Sequence, residues 1–582
     1  MGQYQMNRRN LLKGIFISSA ITYPVYRLLS ALIKEDKFQP LGVPKVSKTR
    51  NYIQFNFYGG PTRWCYDHFL NPYGSEFIQN PMTFNQFDPT SPLDQQKLYQ
   101  FEYKKTHVPL LWSEELHSKR KMTNLLDNSL TIRGVHLEGT TGHPMNSSKM
   151  IAPGIGGYSI DGLLADLSKK PLTSITVGDT PVNRAFKSRA SSNIKVKGDI
   201  ENHLDYILSP FYLKTGDKEN SKEMEELLDN AINILNQSET SKNLKSDLKR
   251  ARIFFKESIE AFLAEYDSLI LKYQEIIAAG LKHKIKGVDD KAIPTPSLPL
   301  TLDGDIEIED ALGPYKVNNI YILSEDLRQL LDSANVGKLA QNFALAEFIS
   351  KYGLSSSIVF ANKNEIGEIF RNVSAKTSYK EESLKKSYDK ITNKTTITST
   401  SAPGLERPQL SFDSHSTGSL INLLTCSKFF YIFSSCLDEL INVLKATKLD
   451  NHKSLFEETI IHVTSEFDRV PKNSLSGSDH NEQAHVSTFY SGIIQGPIVL
   501  GNILVGSHQR DKNWGTIGNS APVSSLNSKI GISHVSSTLS SLLRIPPIIK
   551  RSPSLIKVEK GRAIPIVELA KNIGENHETY NS

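Results

Sequence analysis

Short apolar runs rich in β-branched and aromatic residues recur along the chain, and helical stretches separate many of them. The first run, NYIQFNFYGGP (51–61), is halted by two glycines and a proline, as is usual where a buried strand ends. Strands that alternate with helices favour a mostly parallel sheet with helices on its faces. The sequence therefore predicts an α/β protein. The further predicted strands are SLTIRGVHL (129–137), LTSITVGD (172–179), SSIVFAN (356–362), QLSFDSH (409–415), ETIIHVTSEF (458–467) and PIVLGNI (497–503).

One segment, residues 216–290, breaks this alternation. It is rich in Glu and Lys and carries apolar residues at helical spacing, among them Ile253, Leu263, Ile270 and Ile277. The heptad pattern is not sustained, which argues against a coiled coil. The segment is therefore predicted to be a helical hairpin inserted at one edge of the main domain, with Ser241 as the N-cap of its second helix.

A second polar segment, residues 371–408, has an excess of Lys, Ser and Thr and little apolar periodicity. This composition predicts a long surface excursion. The predicted organisation is an N-terminal part of the main domain over 38–215, the helical insertion, and a C-terminal part over 291–582 that contains the excursion.

Residues 1–37 are predicted to be a signal or a membrane anchor. Paired Arg8 and Arg9 precede an apolar stretch over 14–33, the order of a basic region followed by a short hydrophobic region. The Arg-Arg-x-Leu-Leu-Lys run resembles the twin-arginine export signal, which implies export of a folded protein to the periplasm or cell envelope. Pro24 interrupts the stretch, but no clear cleavage site follows it, so a tether to the inner membrane through residues 14–33 is the alternative.

Composition excludes some functions. The 68 basic and 62 acidic residues leave a formal charge of +6, and no long Lys/Arg run with interleaved aromatics is present, so no nucleic-acid partner is expected. The three cysteines, Cys65, Cys426 and Cys436, are too few and too scattered for a disulfide framework or a thiolate zinc site.

The polar residues with the clearest chemical potential follow two predicted strands. Asp413 and His415 are spaced i, i+2 at the end of the predicted strand 409–415, so in extended chain both side chains would face the same way. Glu466 ends the next predicted strand, and Asp479 and His480 follow a flexible loop. Carboxylates mixed with imidazoles suit zinc, manganese or iron better than calcium. The alternative is a polar loop whose side chains satisfy local backbone groups.

These residues also resemble three motifs of a family of twin-arginine-exported bacterial proteins of unknown function in the alkaline phosphatase-like superfamily, which includes sulfatases and phosphatases. The family carries an Asp-x-His motif, a Glu-Phe-Gly-Arg-Thr-Pro motif and a Gly-Thr-Asp-His motif. The resemblance implies a three-layer α/β/α sandwich and a divalent-metal site, with zinc or manganese expected. The matching residues here are Asp413, His415, Glu466, Phe467, Arg469, Pro471, Gly477, Asp479 and His480.

The chain departs from the family where a mechanism would be decided. The tip of the first strand is Tyr58-Gly59-Gly60 rather than an aspartate, and Asp468 and Val470 replace the family's Gly and Thr. A nucleophilic hydroxyl is expected near His143, where the chain offers Thr141, Ser147 and Ser148 with no motif to choose among them. A complete pair of metal sites cannot be assembled by matching.

Two functions follow from these observations. The first is an exported metal-dependent hydrolase of phosphate or sulfate esters, with an anionic small molecule or a glycan ester as substrate. One of the hydroxyls or a metal-bound water would attack, and Arg469 or Lys149 would neutralise the substrate. The second is a non-catalytic envelope protein on a degenerate form of the same fold, with no metal.

Overall fold

The computed structural model describes residues 48–69, 100–137, 142–154, 157–168, 170, 172–179, 185–208, 242–285, 296–323, 338–361, 374–449, 452–472, 474–504, 519–573 and 579–580. Its α-helices are α1 (His143–Lys149), α2 (Ile160–Leu167), α3 (His203–Leu208), α4 (Lys242–Lys282), α5 (Ile308–Leu312), α6 (Leu339–Lys351), α7 (Ser419–Ala446) and α8 (Ile532–Leu543). Its strands are β1 (Asn51–Phe57), β2 (Gln100–Tyr103), β3 (Thr106–Pro109), β4 (Ser129–Val135), β5 (Ile175–Val177), β6 (Ile194–Val196), β7 (Leu300–Asp303), β8 (Lys316–Val317), β9 (Ile320–Ile322), β10 (Ser357–Phe360), β11 (Ala375–Lys380), β12 (Leu384–Asp389), β13 (Lys394–Ser399), β14 (Gly404–Glu406), β15 (Thr459–Ser465), β16 (Asp468–Pro471), β17 (Ser478–Asn481), β18 (His485–Tyr490), β19 (Ile498–Leu500), β20 (Asn502–Leu504), β21 (Asn519–Val523), β22 (Ser528–Lys529), β23 (Ile556–Glu559), β24 (Arg562–Pro565), β25 (Asn572–Ile573) and β26 (Thr579–Tyr580).

The centre of the fold is an 8-stranded sheet in the order β19-β4-β18-β15-β1-β10-β5-β6. Strand β18 is antiparallel to both of its neighbours, whereas the other pairings are parallel. The prediction of an α/β protein with a mostly parallel sheet is confirmed. One consequence is that seven strands end at the same edge of the sheet, which is where β18 begins.

Helices cover both faces of this sheet, because the strands alternate apolar side chains between two cores. In β1, Phe55 and Phe57 belong to a core shared with α4, α6 and α7. Tyr52, on the opposite face, belongs to a second core with α2 and α8. Helix α7 is long and apolar enough to span a membrane, and its most apolar window is 100% buried inside the protein. Most residues of α7 are buried in the first core, so α7 is a core helix of this protein.

The described part of the predicted insertion is a single long helix, α4. Its buried Tyr266 and Tyr273 belong to the first core, and the Tyr273 hydroxyl donates to Glu347 Oε2 of α6 at 2.7 Å. Of the predicted helical positions, Ile277 is buried, whereas Leu263 and Ile270 are partly buried against the same core. Residue 241 and the residues before it that were predicted as the first helix lie outside the described residues. Helix α4 is thus an integral outer layer.

The predicted surface excursion contains regular structure. Within 374–408, strands β11 to β14 pair with β7 and β9 in two small antiparallel sheets. Leu384 and Ile397 pack there with Tyr321 in a separate small core. The polar composition reflects the alternation of these strands, which expose one face to solvent.

The predicted strand at 409–415 is wrong, because residues 407–416 form no strand. A serine side chain takes up a backbone group there: the Ser411 hydroxyl donates to the Asp413 carbonyl oxygen at 3.2 Å. Phe412 is anchored in the first core beside Phe57, and the Ser414 carbonyl oxygen accepts from the Ser478 N–H at 3.1 Å. The i, i+2 argument for Asp413 and His415 therefore fails, although a loop still brings the two side chains together.

Candidate metal centre

The candidate site lies at the edge of the sheet where the parallel strands end. Glu466 directly follows β15, Tyr58 directly follows the neighbouring β1, and the hairpin before β18 returns the chain to the same place. In open α/β sheets this edge is where ligands bind, because the loops from several strands converge there.

Two glycines after β1 let the other segments approach closely. Gly59 and Gly60 have φ angles of +111° and +65°, in the left-handed region that favours glycine. A Cβ on Gly59 would lie 2.9 Å from Phe412 Cβ, and one on Gly60 would lie 2.5 Å from the Phe467 ring. The glycine pair therefore allows the loop that carries Asp413 and the segment that carries Phe467 to close over the end of β1.

The hairpin of β16 and β17 positions His480. Arg469 is paired with His480 in register, and the His480 ring stacks on Phe467 with centroids 3.9 Å apart. Neighbouring residues of a strand point to opposite faces, so Asp479 approaches from a different side. Gly477 is needed for packing, since a Cβ there would lie 2.0 Å from the His415 carbonyl oxygen.

Three imidazoles meet at the centre of the site. His143 comes from the start of α1, His415 from the loop before α7 and His480 from β17, and one donor atom of each lies within 4.8 Å of the others. The Nε2 atoms of His415 and His480 are 3.0 Å apart. The sequence did not predict His143 as a ligand.

Carboxylates surround this cluster. Asp413 lies between two rings, with Oδ1 3.5 Å from His415 Nε2 and Oδ2 3.6 Å from His143 Nε2. Glu466 Oε1 lies 2.6 Å from His143 Nδ1 and accepts the Gly59 N–H at 2.6 Å. Asp479 Oδ1 lies 3.3 Å from His415 Nδ1. The predicted residues Asp413, His415, Glu466, Asp479 and His480 are thus brought together.

One carboxylate oxygen of Glu466 is buried without a hydrogen-bond partner among the described residues. The residue is 0% exposed, and its Oε2 has no hydrogen-bond partner among the described residues. A buried carboxylate oxygen is costly without a partner, so the environment is suited to a cation or an added proton. Burial correspondingly raises the pKa of Glu466, although His143 opposes the shift.

Burial and a nearby positive charge keep His415 and His480 neutral. Burial, followed by the positive charge of Arg469, lowers the pKa of His415 and lowers that of His480 to about 4. For Asp413, burial would raise the pKa, but the charge and hydrogen bond of Arg469 outweigh it and the pKa is lowered. At neutral pH His415 and His480 are therefore unprotonated and Asp413 is ionised, the protonation states that bind metals.

Arg469 lies beneath the cluster and is 0% exposed. Its Nε donates to the Gly60 carbonyl oxygen at 2.9 Å, and its Nη2 donates to Asp413 Oδ1 at 2.9 Å and also contacts the Gly59 carbonyl oxygen. Its guanidinium also lies over the Phe467 ring, 5.2 Å from the centroid. Arg469 therefore holds the end of β1, the Asp413 loop and the β16–β17 hairpin together. The sequence had predicted instead that Arg469 would contact the substrate.

Asp468, the residue before Arg469, is also buried. Its Oδ1 accepts the Arg469 N–H at 2.8 Å, and its Oδ2 contacts His68 Nδ1 with both side chains 0% exposed. Asp468 thus connects the start of β16 to the buried His68.

The predicted nucleophiles lie on or next to α1. Ser147 is 0% exposed, and its hydroxyl has no hydrogen-bond partner among the described residues. Its carbonyl oxygen accepts from Asn56 Nδ2 at 3.3 Å, which places it against β1. The Ser148 hydroxyl donates to the Pro144 carbonyl oxygen at 3.0 Å, within the helix. Thr141 lies outside the described residues.

The donor set fits a divalent metal. In a tetrahedral zinc site with Zn–N bonds of about 2.0–2.1 Å, two ligand nitrogens lie about 3.3 Å apart. The His415–His480 nitrogen separation of 3.0 Å is close to that value. One ring nitrogen each of His143, His415 and His480, with an Asp413 oxygen, would hold the ion.

Comparisons with protein-family models, with curated proteins and with solved structures gave no match for this chain. The function of the protein is therefore inferred from the geometry of the site.

Proposed function

We propose that this protein is an exported metal-dependent hydrolase of phosphate or sulfate esters, built on an alkaline phosphatase-like sandwich. The observation that carries the proposal is the convergence of His143, His415 and His480 with Asp413 at the carboxyl-terminal edge of a mostly parallel sheet. A divalent cation, zinc or manganese, supplies Lewis-acid chemistry in such a site, polarising an ester oxygen and lowering the pKa of water.

The protein's own residues determine how the site would work. Arg469 holds Asp413 against the end of β1 through side-chain and backbone contacts, so the ligand carboxylate is fixed. Burial of Ser147 and the internal bond of Ser148 favour water over a serine as the attacking group. Because Arg469 is fully buried and bonded to Asp413 and the Gly60 carbonyl oxygen, its role would be to fix the site rather than to contact an anionic ester.

A non-catalytic envelope protein is the second candidate. The burial of Arg469 and of Ser147 favours it, since both residues were expected to serve catalysis. For either function, export by the twin-arginine route and a tether through residues 14–33 remain proposals on the sequence alone, because residues 1–47 lie outside the described residues.

Hydrolysis of 4-nitrophenyl phosphate and 4-nitrophenyl sulfate tests the proposal. Metal-depleted protein should be inactive, and stoichiometric zinc or manganese should restore turnover of one ester. His143→Gln should abolish that turnover, whereas His117→Gln, at an exposed position, should not. Tight metal binding without hydrolysis of either ester or of a panel of glycan phosphates and sulfates would favour the non-catalytic function.

A further inference from the structure

Two of the three imidazoles have their Nδ1 atom covered by a carboxylate. Glu466 Oε1 lies 2.6 Å from His143 Nδ1, and Asp479 Oδ1 lies 3.3 Å from His415 Nδ1. An ionised carboxylate only accepts hydrogen bonds, so the ring nitrogen facing it carries the proton. In its neutral form an imidazole has only one N–H, so Nε2 of each of these two rings is then an unprotonated lone pair on the side of Asp413.

The third imidazole is in the opposite state when no cation is bound. His480 Nε2 lies 3.0 Å from His415 Nε2. Since the His415 nitrogen is already a lone pair, the proton of that hydrogen bond belongs to His480. A metal ion binds an imidazole nitrogen that carries no proton. His480 therefore has to move its proton before it can bind a cation through Nε2.

We propose that Glu466 and Asp479 are positioning residues that preset His143 and His415 with the proton on Nδ1, and that His480 alone changes tautomer when a divalent cation binds. The inference rests on the proposed metal site and deepens it. The step is balanced: the His480 proton leaves Nε2 and an equivalent proton from solvent is taken up at Nδ1, with no net change in ring charge. The stacking of His480 on Phe467, with centroids 3.9 Å apart, holds the ring in place.

The two carboxylates are not equally strong partners. Glu466 is 0% exposed, and its Oε1 is held by the Gly59 N–H at 2.6 Å as well. The Asp479 side chain is 51% exposed, so water competes for its oxygens. Outer-shell partners of this kind change metal affinity about 10–100-fold. Glu466→Met should thus weaken zinc binding by about 10–100-fold, and Asp479→Ala should weaken it less.

Long-range ¹⁵N–¹H correlation spectra of histidine-labelled, metal-free protein at pH 7.5 test the inference directly. Single His→Gln variants assign the three rings. The expected spectra show His143 and His415 protonated on Nδ1 and His480 protonated on Nε2. On addition of zinc, His480 should become protonated on Nδ1 while the other two keep their tautomers. Protonation of His143 or His415 on Nε2 in the metal-free protein, or an unchanged His480 in the zinc-bound protein, would overturn the inference.

Variants of Glu466 distinguish an effect on the His143 tautomer from a general loss of structure. Glu466→Met should leave His143 in a mixture of tautomers, whereas Glu466→Gln keeps an oxygen that can accept from Nδ1 and should preserve the preset state. Glu482→Gln, two residues beyond His480, is the matched control and should change neither the tautomers nor the affinity. Should Glu466→Met fail to fold, the wild-type spectra still decide. If His143 and His415 are protonated on Nδ1 but the protein binds no zinc, the proposed function and the tautomer change of His480 are contradicted, while the positioning by Glu466 and Asp479 stands. If the protein hydrolyses an ester with zinc but His143 is protonated on Nε2, only the positioning is contradicted.

Discussion

The Nη2 atom of Arg469 lies 2.9 Å from Asp413 Oδ1, joining a strand of one hairpin to a loop more than fifty residues earlier in the chain. The same guanidinium donates to the Gly60 carbonyl oxygen at 2.9 Å and contacts that of Gly59. The buried guanidinium of Arg469 thus fixes the end of β1, the Asp413 loop and the β16–β17 hairpin relative to each other.

Replacement of Arg469 should destabilise the protein and loosen the site together. In Arg469→Met the carbonyl oxygens of Gly59 and Gly60 lose their buried donors, and each unsatisfied group costs about 1–3 kcal/mol. We expect the free energy of unfolding in urea to fall by about 2–5 kcal/mol. Arg562→Met, at an exposed position in β24, is the control and should change it by less than about 0.5 kcal/mol. Equal effects of the two variants would contradict the role of Arg469 in holding these segments together.

Gly60→Ala should be destabilising for two separable reasons. At φ +65° an L-residue costs about 1–2 kcal/mol, and the added Cβ would lie 2.5 Å from the Phe467 ring. Gly561→Ala has a similar φ of +77° but nothing within 4 Å of its Cβ, so it reports the conformational cost alone. Thermal unfolding should show a larger loss for Gly60→Ala. A loss no greater than that of Gly561→Ala would mean that the Phe467 segment does not pack against Gly60.

Acid should destabilise the fold through buried histidines. Burial lowers the pKa of His462 to about 3, whereas in the unfolded chain it is about 6.5. Below pH 6.5 the unfolded state binds a proton that the folded state does not, so stability falls as pH falls until about pH 3. His462→Gln lacks this proton, and its loss of stability between pH 7.5 and pH 5 should be about 2 kcal/mol smaller than that of the wild type. An unchanged pH dependence would contradict the burial of a neutral His462.

The site was partly predictable because the topology of an α/β sheet collects strand ends at one edge. Glu466 lies at the end of a strand that the sequence predicts, so its place at this edge follows from the sheet. His480 lies in β17, and neither β17 nor the following β18 was among the predicted strands. His143 was missed as a ligand, although it lies at the start of the helix that comes after β4, a strand ending at the same edge. The position of His143 after a predicted strand was therefore the sequence signal that could have identified it as a ligand.

Other features depended on contacts that sequence patterns do not encode. The run 409–415 has the composition of a strand, but the Ser411 and Ser478 hydroxyls bond to its backbone and no neighbouring strand pairs with it among the described residues. Arg469 is an arginine next to an aspartate, which by itself predicts a surface or substrate-binding position. Its burial depends on acceptors at Gly59 and Gly60, some four hundred residues earlier.

The most direct test of the central claim is equilibrium zinc binding to metal-depleted protein, measured by competition with a chromophoric chelator. The three imidazoles and Asp413 should bind one zinc ion per chain, and His143→Gln should lower the affinity by more than about 100-fold, since loss of a ligand should exceed loss of an outer-shell partner. The control His117→Gln should bind as the wild type does. A His143→Gln protein that retains wild-type zinc affinity, or a wild-type protein that binds none, would contradict the account.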